Sequence, residues 1–585
     1  MIKMIFVIII NYFCESKIMK GSDFIVNKLK QYNVNKVFGY PGGCNLELFD
    51  NLYQNNIEII SNINEQCLAH TAQAYAKTSN KLSVVITTSG PGLTNIITPL
   101  QDALSDGIPF LAISGQVNSK KIGTSAFQEC DATSLTKPCT KFSKLIKTSE
   151  ELENNFDLVL NIMNLPRQGP VHLDICSDVF DSYYDYKNNI HNDQIVNYEN
   201  IEELNMNEII QINKIHYKLV NSKNPVIILG KGAINAKDYI KKLILLYNIP
   251  VCSTLHGLGI VNSNNINYLG MIGMHGTVQA NKAVYNADFI LGIGNRFDDR
   301  TIGNIKFFGK KAKENRALIH IDNSQEKLDE VNKLLNPDYS LLMSSSKFVK
   351  SLLNKFDPLT NFHNRKDWFN QIYEWNKLNP KINKNKLNIP LIISKLSTKL
   401  NNSTLNKKKY IITTGVGVHQ MQTAQYFTWV EPNNLITSGS LGTMGVGLPF
   451  AIGCQIANPD KVVILIDGDG SFQMTSSDLI TLSKYNLPVK IIIMDNQNLQ
   501  MVSNWQEEFY SSRFVNSKLS NPNFVKLAKS MGIKAIKCDN IHKIDDILDS
   551  MLEYKKPILI HCLVESTKCL PFTPSTNSLN DVIFN

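Results

Sequence analysis

The chain has 585 residues, of which 43% are hydrophobic and 19% charged, a composition typical of globular proteins and not of disordered, fibrous or membrane chains. Its net charge of +9 comes from 60 basic and 51 acidic residues, and the lysines are scattered along the chain. Because they form no basic stripe, we expect no nucleic-acid partner. The 11 cysteines include no CxxC pair, which predicts free thiols in a reducing compartment.

The first residues, 1–18, contain one short apolar run from Ile5 to Ile10. This run is far shorter than the ~20 residues that a membrane span requires, so no membrane association is expected. No small-x-small cleavage site follows it, which argues against a signal peptide. An amphipathic helix is predicted to begin near Ser22. We therefore favour a translation start at Met19 and expect residues 1–18 to be an extension outside the fold.

Helical patterns alternate with short apolar runs from residue 22 onward, which is typical of α/β units with a parallel sheet. The runs fall into three groups, namely residues 36–39, 84–87 and 109–113, then 225–230 and 289–294, then 462–466 and 489–494. A chain of this length should form about three or four domains. We therefore predict an α/β fold with three doubly wound parallel-sheet domains.

The limits of these domains follow from two polar stretches in which the apolar periodicity lapses. These candidate linkers lie near residues 184–207 and 357–388. The predicted domains span residues 19–185, 205–356 and 388–570, and residues 571–585 are expected to form a C-terminal tail.

A candidate metal site follows the apolar strand at residues 462–466, because open α/β sheets bind ligands at the carboxyl ends of their strands. Asp469 offers a hard oxygen ligand, and Asn496 offers another 27 residues later, at the end of the next strand. Magnesium is usually bound by one or two protein side chains together with ligand phosphates. The pattern predicts a Mg²⁺ site that holds a diphosphate, and a plain Asp-Gly turn is the alternative.

The spacing from Gly468-Asp469-Gly470 to Asn496 resembles the motif of thiamine-diphosphate enzymes. Upstream, residues 413–420 and 438–445 resemble the two other loops that this family folds around the cofactor. The resemblance implies metal ligation by Asp469, Asn496 and Asn498. It also implies contacts to thiamine diphosphate from Gly415, Val416, Val418, His419, Gln420, Gly442, Met444, Gly470, Ser471 and Met501.

Thiamine chemistry needs a carboxylate beside N1′ of the pyrimidine. Residues 59–66 predict a strand end that runs into a helix, and the family carries its catalytic Glu at such a place, so the resemblance assigns this role to Glu65. A lone Glu at a helix start is otherwise a favourable partner of the helix dipole. Because Glu65 lies in the first domain and Asp469 in the third, the family arrangement implies sites shared between the subunits of a homodimer or homotetramer.

Further segments resemble the large catalytic subunit of the acetolactate synthase (acetohydroxyacid synthase) family over nearly the whole chain from residue 19. They include residues 39–43, 88–92, 106–109, 126–129, 273–277 and 294–300. In that family the middle domain binds FAD, which implies contacts from Arg167, Met274, His275, Gly276, Thr277, Gly294, Asn295, Arg296 and Asp322. An Arg fork suits a diphosphate, and an acid at a strand end suits a ribose. The adenine-side contacts cannot be assigned around residues 334–343.

The resemblance also implies the reaction, in which pyruvate is decarboxylated and its two-carbon unit is transferred to pyruvate or 2-oxobutyrate, a step of branched-chain amino acid biosynthesis. FAD would be structural, because no net redox change occurs. Trp505 would line the site of the second 2-oxo acid, where a large ring favours the longer substrate. The other residues implied for the substrate site are Phe127, Gln128, Lys141 and Arg300.

The chain departs from the usual family pattern at five positions near these motifs. Asn64 and Cys67 flank Glu65 where His and Gly are usual, and the others are Cys44, Asp495 and Gln500. Another FAD-containing thiamine enzyme, such as pyruvate oxidase, glyoxylate carboligase or a 2-oxo acid decarboxylase, remains an alternative. So does a non-catalytic relative that binds partners, which should have lost Glu65, Asp469 or Asn496. The family further implies a small regulatory subunit and a bacterial cytoplasm, with a plastid stroma as the alternative.

Overall fold

The structure is a computed structural model that describes residues 17–186, 203–359, 363–402 and 409–584. The described residues divide into two compact units, the first comprising residues 17–76 and 80–186 and the second residues 77–79 and the described residues from 203 onward. Across the described ranges, no helix combines the length and the apolar character that crossing a bilayer demands.

The first unit is built on eight strands: β1 (Lys17–Lys20), β2 (Lys36–Gly39), β3 (Glu58–Ile60), β4 (Val84–Thr87), β5 (Leu111–Gln116), β6 (Phe142–Ile146), β7 (Val171–Cys176) and β8 (Tyr183–Tyr186). Its helices are α1 (Gly21–Gln31), α2 (Leu46–Gln54), α3 (Glu65–Ser79), α4 (Pro91–Thr94), α5 (Ile97–Asp106), α6 (Ala132–Thr136), α7 (Ser149–Asn164) and α8 (Ser177–Asp181). Six strands form a parallel sheet in the order β3-β2-β4-β5-β7-β6. The central strands are buried on both faces, which is why they are continuous apolar runs.

The start of the described chain belongs to this unit. In β1, Lys17 pairs with Tyr186 and Ile18 pairs with Asp185 of β8 in an antiparallel ribbon. The predicted extension therefore does not reach residue 18, since its last two residues form main-chain hydrogen bonds, and its residues 1–16 lie outside the described residues. For the same reason, the first predicted linker begins with a strand, and most of its remainder, residues 187–202, is likewise outside the described residues.

The middle sheet of the second unit has the parallel order β11-β10-β9-β12-β13-β14. Its strands are β9 (Pro225–Leu229), β10 (Val251–Ser253), β11 (Tyr268–Met271), β12 (Phe289–Ile293), β13 (Leu318–Asp322) and β14 (Tyr339–Leu342). Its helices are α9 (Met206–Asn221), α10 (Lys237–Tyr247), α11 (Val278–Asn286), α12 (Asp299–Ile302), α13 (Lys310–Glu314), α14 (Gln325–Leu335) and α15 (Ser345–Leu353).

The third sheet, also in the second unit, has the parallel order β16-β15-β17-β18-β20-β19. Its strands are β15 (Tyr410–Thr414), β16 (Leu435–Ile436), β17 (Val462–Gly468), β18 (Lys490–Asp495), β19 (Lys534–Cys538) and β20 (Ile558–Leu563). Its helices are α17 (Ile389–Asn402), α18 (Val418–Tyr426), α19 (Gly447–Ala457), α20 (Asp469–Gln473), α21 (Leu479–Lys484), α22 (Gln500–Phe509), α23 (Phe524–Ser530) and α24 (Ile544–Glu553). The three predicted parallel sheets are confirmed.

The second predicted linker, residues 357–388, is corrected, because it contains helix α16 (Lys366–Asn376). Trp368, Ile372 and Trp375 recur at helical spacing and pack on the middle sheet, where Trp368 is 2% exposed. The many Asn and Lys residues around this apolar face obscure its helical periodicity in the sequence. The predicted tail also folds back: Phe572 pairs with Ile583, and the N–H of Thr573 donates to the carbonyl of Met274 at 2.7 Å.

Candidate active site

Three glycine-containing loops meet at the carboxyl edge of the third sheet. Gly415 follows β15, and a Cβ at this position would overlap Asp467 Oδ1, near the end of β17, and Ser471 Oγ, in the short helix α20 that follows. Ser471 Oγ in turn accepts from the N–H of Gly445 at 3.0 Å. The three segments predicted to surround a cofactor are thus brought together, and their packing depends on glycine at residue 415.

One of these loops leaves main-chain donors without a side-chain cap, and another uses its donors within the protein. The N-cap of helix α18 is Gly417, which has φ 153° and no side chain, so the first N–H groups of α18 are not capped by a side chain. Ser438 Oγ accepts from the N–H groups of Gly442 and Thr443, each at 3.0 Å, which holds that turn open. Gly442 has φ 75° and no atom near the place of a Cβ, so this turn borders open space.

His419 and Gln420 are buried and contact the residues of the neighbouring loops. The ring of His419 lies against Gly468, with Nε2 3.2 Å from Asp467 Oδ1. The amide of Gln420 donates to Thr437 Oγ1 at 2.7 Å and to the carbonyl of Ser438 at 2.9 Å. Both side chains therefore hold the shape of the loops. The neighbouring Val416 and Met444 are half-buried at the same edge, and Val418 is buried at the start of α18.

Asp469, the predicted metal ligand, opens helix α20 and is 2% exposed. Its Oδ2 accepts from Asn521 Nδ2 at 2.7 Å. Burial raises the pKa of Asp469 to about 6, against the opposing effect of the Asn521 hydrogen bond. A divalent cation at this carboxylate would offset the cost of burying its charge. Gly470 follows, in contact range of Leu499.

The other two predicted ligands lie just past β18. Asn496 Nδ2 donates to Gln500 Oε1 at 2.9 Å, which leaves its carbonyl oxygen for another partner. Asn498 Nδ2 donates to Ser503 Oγ at 2.7 Å, while its Oδ1 is buried and has no hydrogen-bond partner among the described residues. A buried acceptor without a donor is costly, and a cation would satisfy it.

Helix α22 carries two residues to which the resemblance assigns contacts, Met501 to thiamine diphosphate and Trp505 to the second substrate. Met501 packs against the core of the third sheet, and Trp505, one turn further along, is 37% exposed. Trp505 is therefore not a buried core residue. Phe509 on the same helix is 57% exposed, so α22 presents an apolar surface to solvent.

In the first unit, Glu65 is the first residue of α3 and is half-buried. Asn95 Nδ2 donates to its Oε2 at 2.8 Å, which orients the carboxylate. Asn64 is the N-cap, and its Oδ1 accepts from the N–H of Cys67 at 2.8 Å. Two of the departures from the family pattern thus form the cap of the helix that carries Glu65.

Phe127 and Gln128 lie on an exposed loop, where Phe127 is 88% exposed and Gln128 has φ 63°. The N–H groups of Gly123 and Ala126 donate to Glu129 and lower its pKa. The loop is fixed from below, because Gln116 Nε2 donates to the carbonyl of Cys130 at 2.9 Å.

Lys141 and Arg167 meet at one turn. Lys141 Nζ donates to the carbonyl of Leu165 at 3.2 Å, and its main-chain N–H donates to the carbonyl of Pro170 at 2.8 Å. Arg167 has φ 56° and donates to the carbonyl of Ser105 at 2.9 Å.

In the middle sheet, Met274 and Arg300 are in contact, with Arg300 Nη1 3.0 Å from the Met274 sulfur and the N–H of Met274 donating to the carbonyl of Arg300 at 2.7 Å. His275 is buried against the Phe572 ring at 5.5 Å, and burial lowers the pKa of His275 to about 4. Thr277 is the N-cap of α11.

The loops after β9 and β12 approach each other closely. A Cβ at Gly294, which has φ 57°, would overlap the main chain of Gly232. Nearby, Asn295 is buried and accepts from the N–H of Phe297 at 2.9 Å. Gly276, which follows β11, leaves room for the amide oxygen of Asn281.

Arg296 links the middle sheet to a cofactor loop of the third. Its Nη2 donates to Ser440 Oγ at 2.8 Å and to Asp298 Oδ2 at 3.1 Å. Arg296, predicted to contact FAD, is thus in direct contact with a loop predicted to surround thiamine diphosphate.

A pocket opens at the carboxyl end of β13, beside Asp322. Besides Asp322 it is lined by Gly232, Asn235, Gly294, Asn323 and Ser345. Asp322 Oδ1 accepts from the N–H of Ser324 at 2.9 Å. Ser344 and Ser345 of this pocket lie just past β14, after residues 334–343, where no adenine-side contact could be assigned from the sequence.

Sequence reasoning also missed Asn521 and His561, which lie near the metal loop. His561 Nε2 donates to Asp495 Oδ2 at 2.7 Å. Neither residue belongs to a motif. The signal that could have identified His561 is its place in β20, the strand next to β18.

Three family models match the chain, all described as thiamine pyrophosphate enzyme. The N-terminal TPP binding domain matches residues 19–135, the central domain residues 212–352, and the C-terminal TPP binding domain residues 415–562. The chain is similar to the protein named "Acetolactate synthase, mitochondrial" of Schizosaccharomyces pombe, with 37% identity over 97% of this chain and 86% of the relative.

Two further relatives extend the comparison. The protein named "Acetolactate synthase catalytic subunit, mitochondrial" of Saccharomyces cerevisiae is 36% identical over 95% of this chain and 82% of its own length. A "Probable acetolactate synthase large subunit" of Methanocaldococcus jannaschii is 36% identical over 97% of this chain and 95% of its own length.

Proposed function

Because this chain belongs to the acetolactate synthase family of thiamine pyrophosphate enzymes, we propose that it decarboxylates pyruvate and transfers the two-carbon unit to pyruvate or 2-oxobutyrate. The observation that carries the proposal is the packing of Gly415 and Gly445 against Asp467 and Ser471, which lie on either side of Asp469 in the sequence, at one sheet edge. A relative that had lost catalysis should lack Asp469 or Glu65, and both are present.

The loops fit a diphosphate bound through a cation. The α18 helix begins without a side-chain cap, and a helix N-terminus favours an anion. Asp469, Asn496 and Asn498 supply the oxygen atoms that Mg²⁺ prefers, including the partnerless Oδ1 of Asn498. We propose that these three residues hold Mg²⁺ and that Gly415, Gly470 and Ser471 border the diphosphate.

Thiamine diphosphate supplies the electron sink that lets pyruvate lose carbon dioxide. Glu65 holds and releases a proton at N1′ of the pyrimidine, and Asn95 orients its carboxylate at 2.8 Å. Trp505 limits the space beside the second 2-oxo acid, and Arg300 attracts its carboxylate. Phe127, Gln128 and Lys141 complete the substrate site by family resemblance.

We further propose that FAD binds along the middle sheet as a structural group. Asp322 and the pocket around Gly232 and Ser345 suit the adenosine end, where glycine lets the loops after β9 and β12 approach each other closely. Arg296 and His275 lie toward the other end, and Arg167 joins them by family resemblance. The family also suggests a homodimer or homotetramer with shared sites and a small regulatory partner. Two fungal relatives are named mitochondrial.

The test is turnover of pyruvate by the purified chain with thiamine diphosphate, Mg²⁺ and FAD. We expect acetolactate as the main product, loss of most activity on removal of Mg²⁺ with a chelator, and loss of most activity in Glu65→Gln. Glu58→Gln, at an exposed strand residue, is the matched control. Oxygen uptake or free acetaldehyde as the main outcome would contradict the proposal.

A further inference from the structure

Asp495 ends β18 at a position where the family usually has Asn, and both of its carboxylate oxygens are occupied. Oδ1 accepts from Asn521 Nδ2 at 2.7 Å and from the N–H of Gln497 at 3.0 Å. Oδ2 accepts from His561 Nε2 at 2.7 Å. Asp495 is 4% exposed. Although it is next to Asn496, both of its carboxylate oxygens therefore accept hydrogen bonds from groups within the protein.

Asn521 connects this carboxylate to the metal loop. One hydrogen of its amide nitrogen goes to Asp495 Oδ1, and the other goes to Asp469 Oδ2 at 2.7 Å. Its oxygen accepts from Gln473 Nε2 at 2.7 Å, at the end of the same short helix that Asp469 begins. The amide therefore has no freedom to rotate without losing a bond, and the position of Asp469 follows that of Asp495.

We propose that Asp495 and His561 are a matched acceptor and donor pair that positions Asp469, through Asn521, for the metal ion. They are positioning residues and not ligands. The inference rests on the proposed metal site. It also explains how Asp is accommodated at a position where Asn is usual: a buried carboxylate accepts only, and His561 on the neighbouring strand supplies the donor.

The direction of donation gives a distinctive expectation. In His561→Glu, two carboxylates would face each other in a buried place, which pushes Asp495 away from Asn521. In Asp495→Asn alone, the other tautomer of His561 can accept from the new amide, so the loss should be partial. In the double variant Asp495→Asn/His561→Glu, the amide donates to the new carboxylate, and the contact is restored with its polarity reversed.

The experiment uses the full chain and a readout that does not depend on turnover. The midpoint of thermal unfolding is followed with thiamine diphosphate at increasing Mg²⁺, and the Mg²⁺ concentration that gives half of the cofactor-dependent rise is compared. We expect this concentration to increase tenfold or more in His561→Glu, by about threefold in Asp495→Asn, and to return to within about threefold of the unmodified protein in the double variant. His542→Glu and Asp460→Asn, both exposed, are the matched controls and should leave it unchanged.

The outcomes separate the two proposals. A purely structural role would lower all unfolding midpoints equally without changing the Mg²⁺ requirement, and that result overturns the inference. A double variant no better than His561→Glu also overturns it. If the unmodified protein shows no Mg²⁺-dependent stabilisation by thiamine diphosphate, the metal site itself is wrong, and the pair loses its assigned role with it.

Discussion

Asn64 Oδ1 accepts a hydrogen bond from the N–H of Cys67 at 2.8 Å, and so caps the helix whose first residue is Glu65. Both residues depart from the usual family pattern, yet together they form an ordinary helix cap. The capped helix positions the main chain of Glu65, and Asn95 orients its carboxylate.

Removal of this cap should be measurable in Asn64→Ala. We expect a loss of about 1 kcal/mol in the free energy of unfolding, because one main-chain donor loses its acceptor. Asn64→Asp keeps an acceptor and should be nearly neutral. Denaturant unfolding of both variants checks this, and equal stability of Asn64→Ala and the unmodified chain would contradict it.

The hydrogen bond from Asn95 to Glu65 should matter for turnover more than for stability. Asn95→Ala leaves a half-buried carboxylate without its orienting donor, and a bond to a charged group contributes about 1.5 kcal/mol or more. We expect kcat to fall about tenfold, since 1.4 kcal/mol is a factor of ten. Thr94→Ala, on the same turn, is the control and should retain normal kcat.

Acid sensitivity should trace in part to His172, whose Nε2 contacts Ser114 Oγ at 2.7 Å. Burial lowers the pKa of His172 to about 3, against about 6.5 in an unfolded chain. Between these values only the unfolded chain binds the proton, so this stability is present above pH 6.5 and is lost as the pH falls toward 3.

The neighbouring Asp174 acts in the opposite direction over a narrower window. Burial raises its pKa to about 6, so the folded chain binds a proton that the unfolded chain lacks between about pH 4 and 6.

The variant His172→Gln tests the contribution of His172. We expect it to be less stable than the unmodified chain at pH 7, but its free energy of unfolding should fall by about 1.4 kcal/mol less per pH unit below pH 6. Unfolding at several pH values tests this, with the exposed His542→Gln as control; parallel pH profiles of His172→Gln and the unmodified chain would contradict it.

Trp505 should control the choice of the second substrate. Trp505→Leu removes apolar contact with the additional methylene of 2-oxobutyrate, and one methylene is worth roughly 1–3 kcal/mol in a fitted pocket. We expect the preference for 2-oxobutyrate over pyruvate to fall about tenfold in competition assays. Phe509→Leu, exposed on the same helix, should keep the preference. An unchanged ratio in Trp505→Leu would remove Trp505 from the substrate site.

Asp322 should control flavin retention. Asp322→Ala removes the only carboxylate of the pocket after β13, and we expect FAD content after gel filtration to fall at least several-fold, as read by flavin absorbance. Asp329→Ala, exposed on the following helix, is the control. Full flavin content in Asp322→Ala would show that the adenosine end binds elsewhere.

The sequence was sufficient to predict the three sheets because fully buried parallel strands are unbroken apolar runs, as at Val84–Thr87. It was insufficient where the pattern is diluted. The sequence predicts a linker where helix α16 lies, because the apolar face of this helix is formed by only a few residues, among them Trp368 and Ile372, within an Asn-rich stretch.

The site divides in the same way. Short motifs such as Gly468-Asp469-Gly470 predicted loops that the fold brings together. The contact of Asp495 with His561 joins residues 66 positions apart in sequence, and it depends on β18 and β20 being neighbours, which strand order alone determines. No local pattern encodes such a pair.

The segment at residues 571–584 has a consequence for biosynthesis. Asn281, beside the predicted flavin site, donates to Thr573 Oγ1, 292 residues further along the chain, at 3.1 Å. During translation the middle sheet leaves the ribosome long before this partner is made, although domains generally fold as they emerge. In the nascent chain, the middle sheet therefore lacks its contact with residues 571–584 until the third sheet has been synthesised. If this contact completes the proposed flavin site, we expect FAD to bind late in biosynthesis.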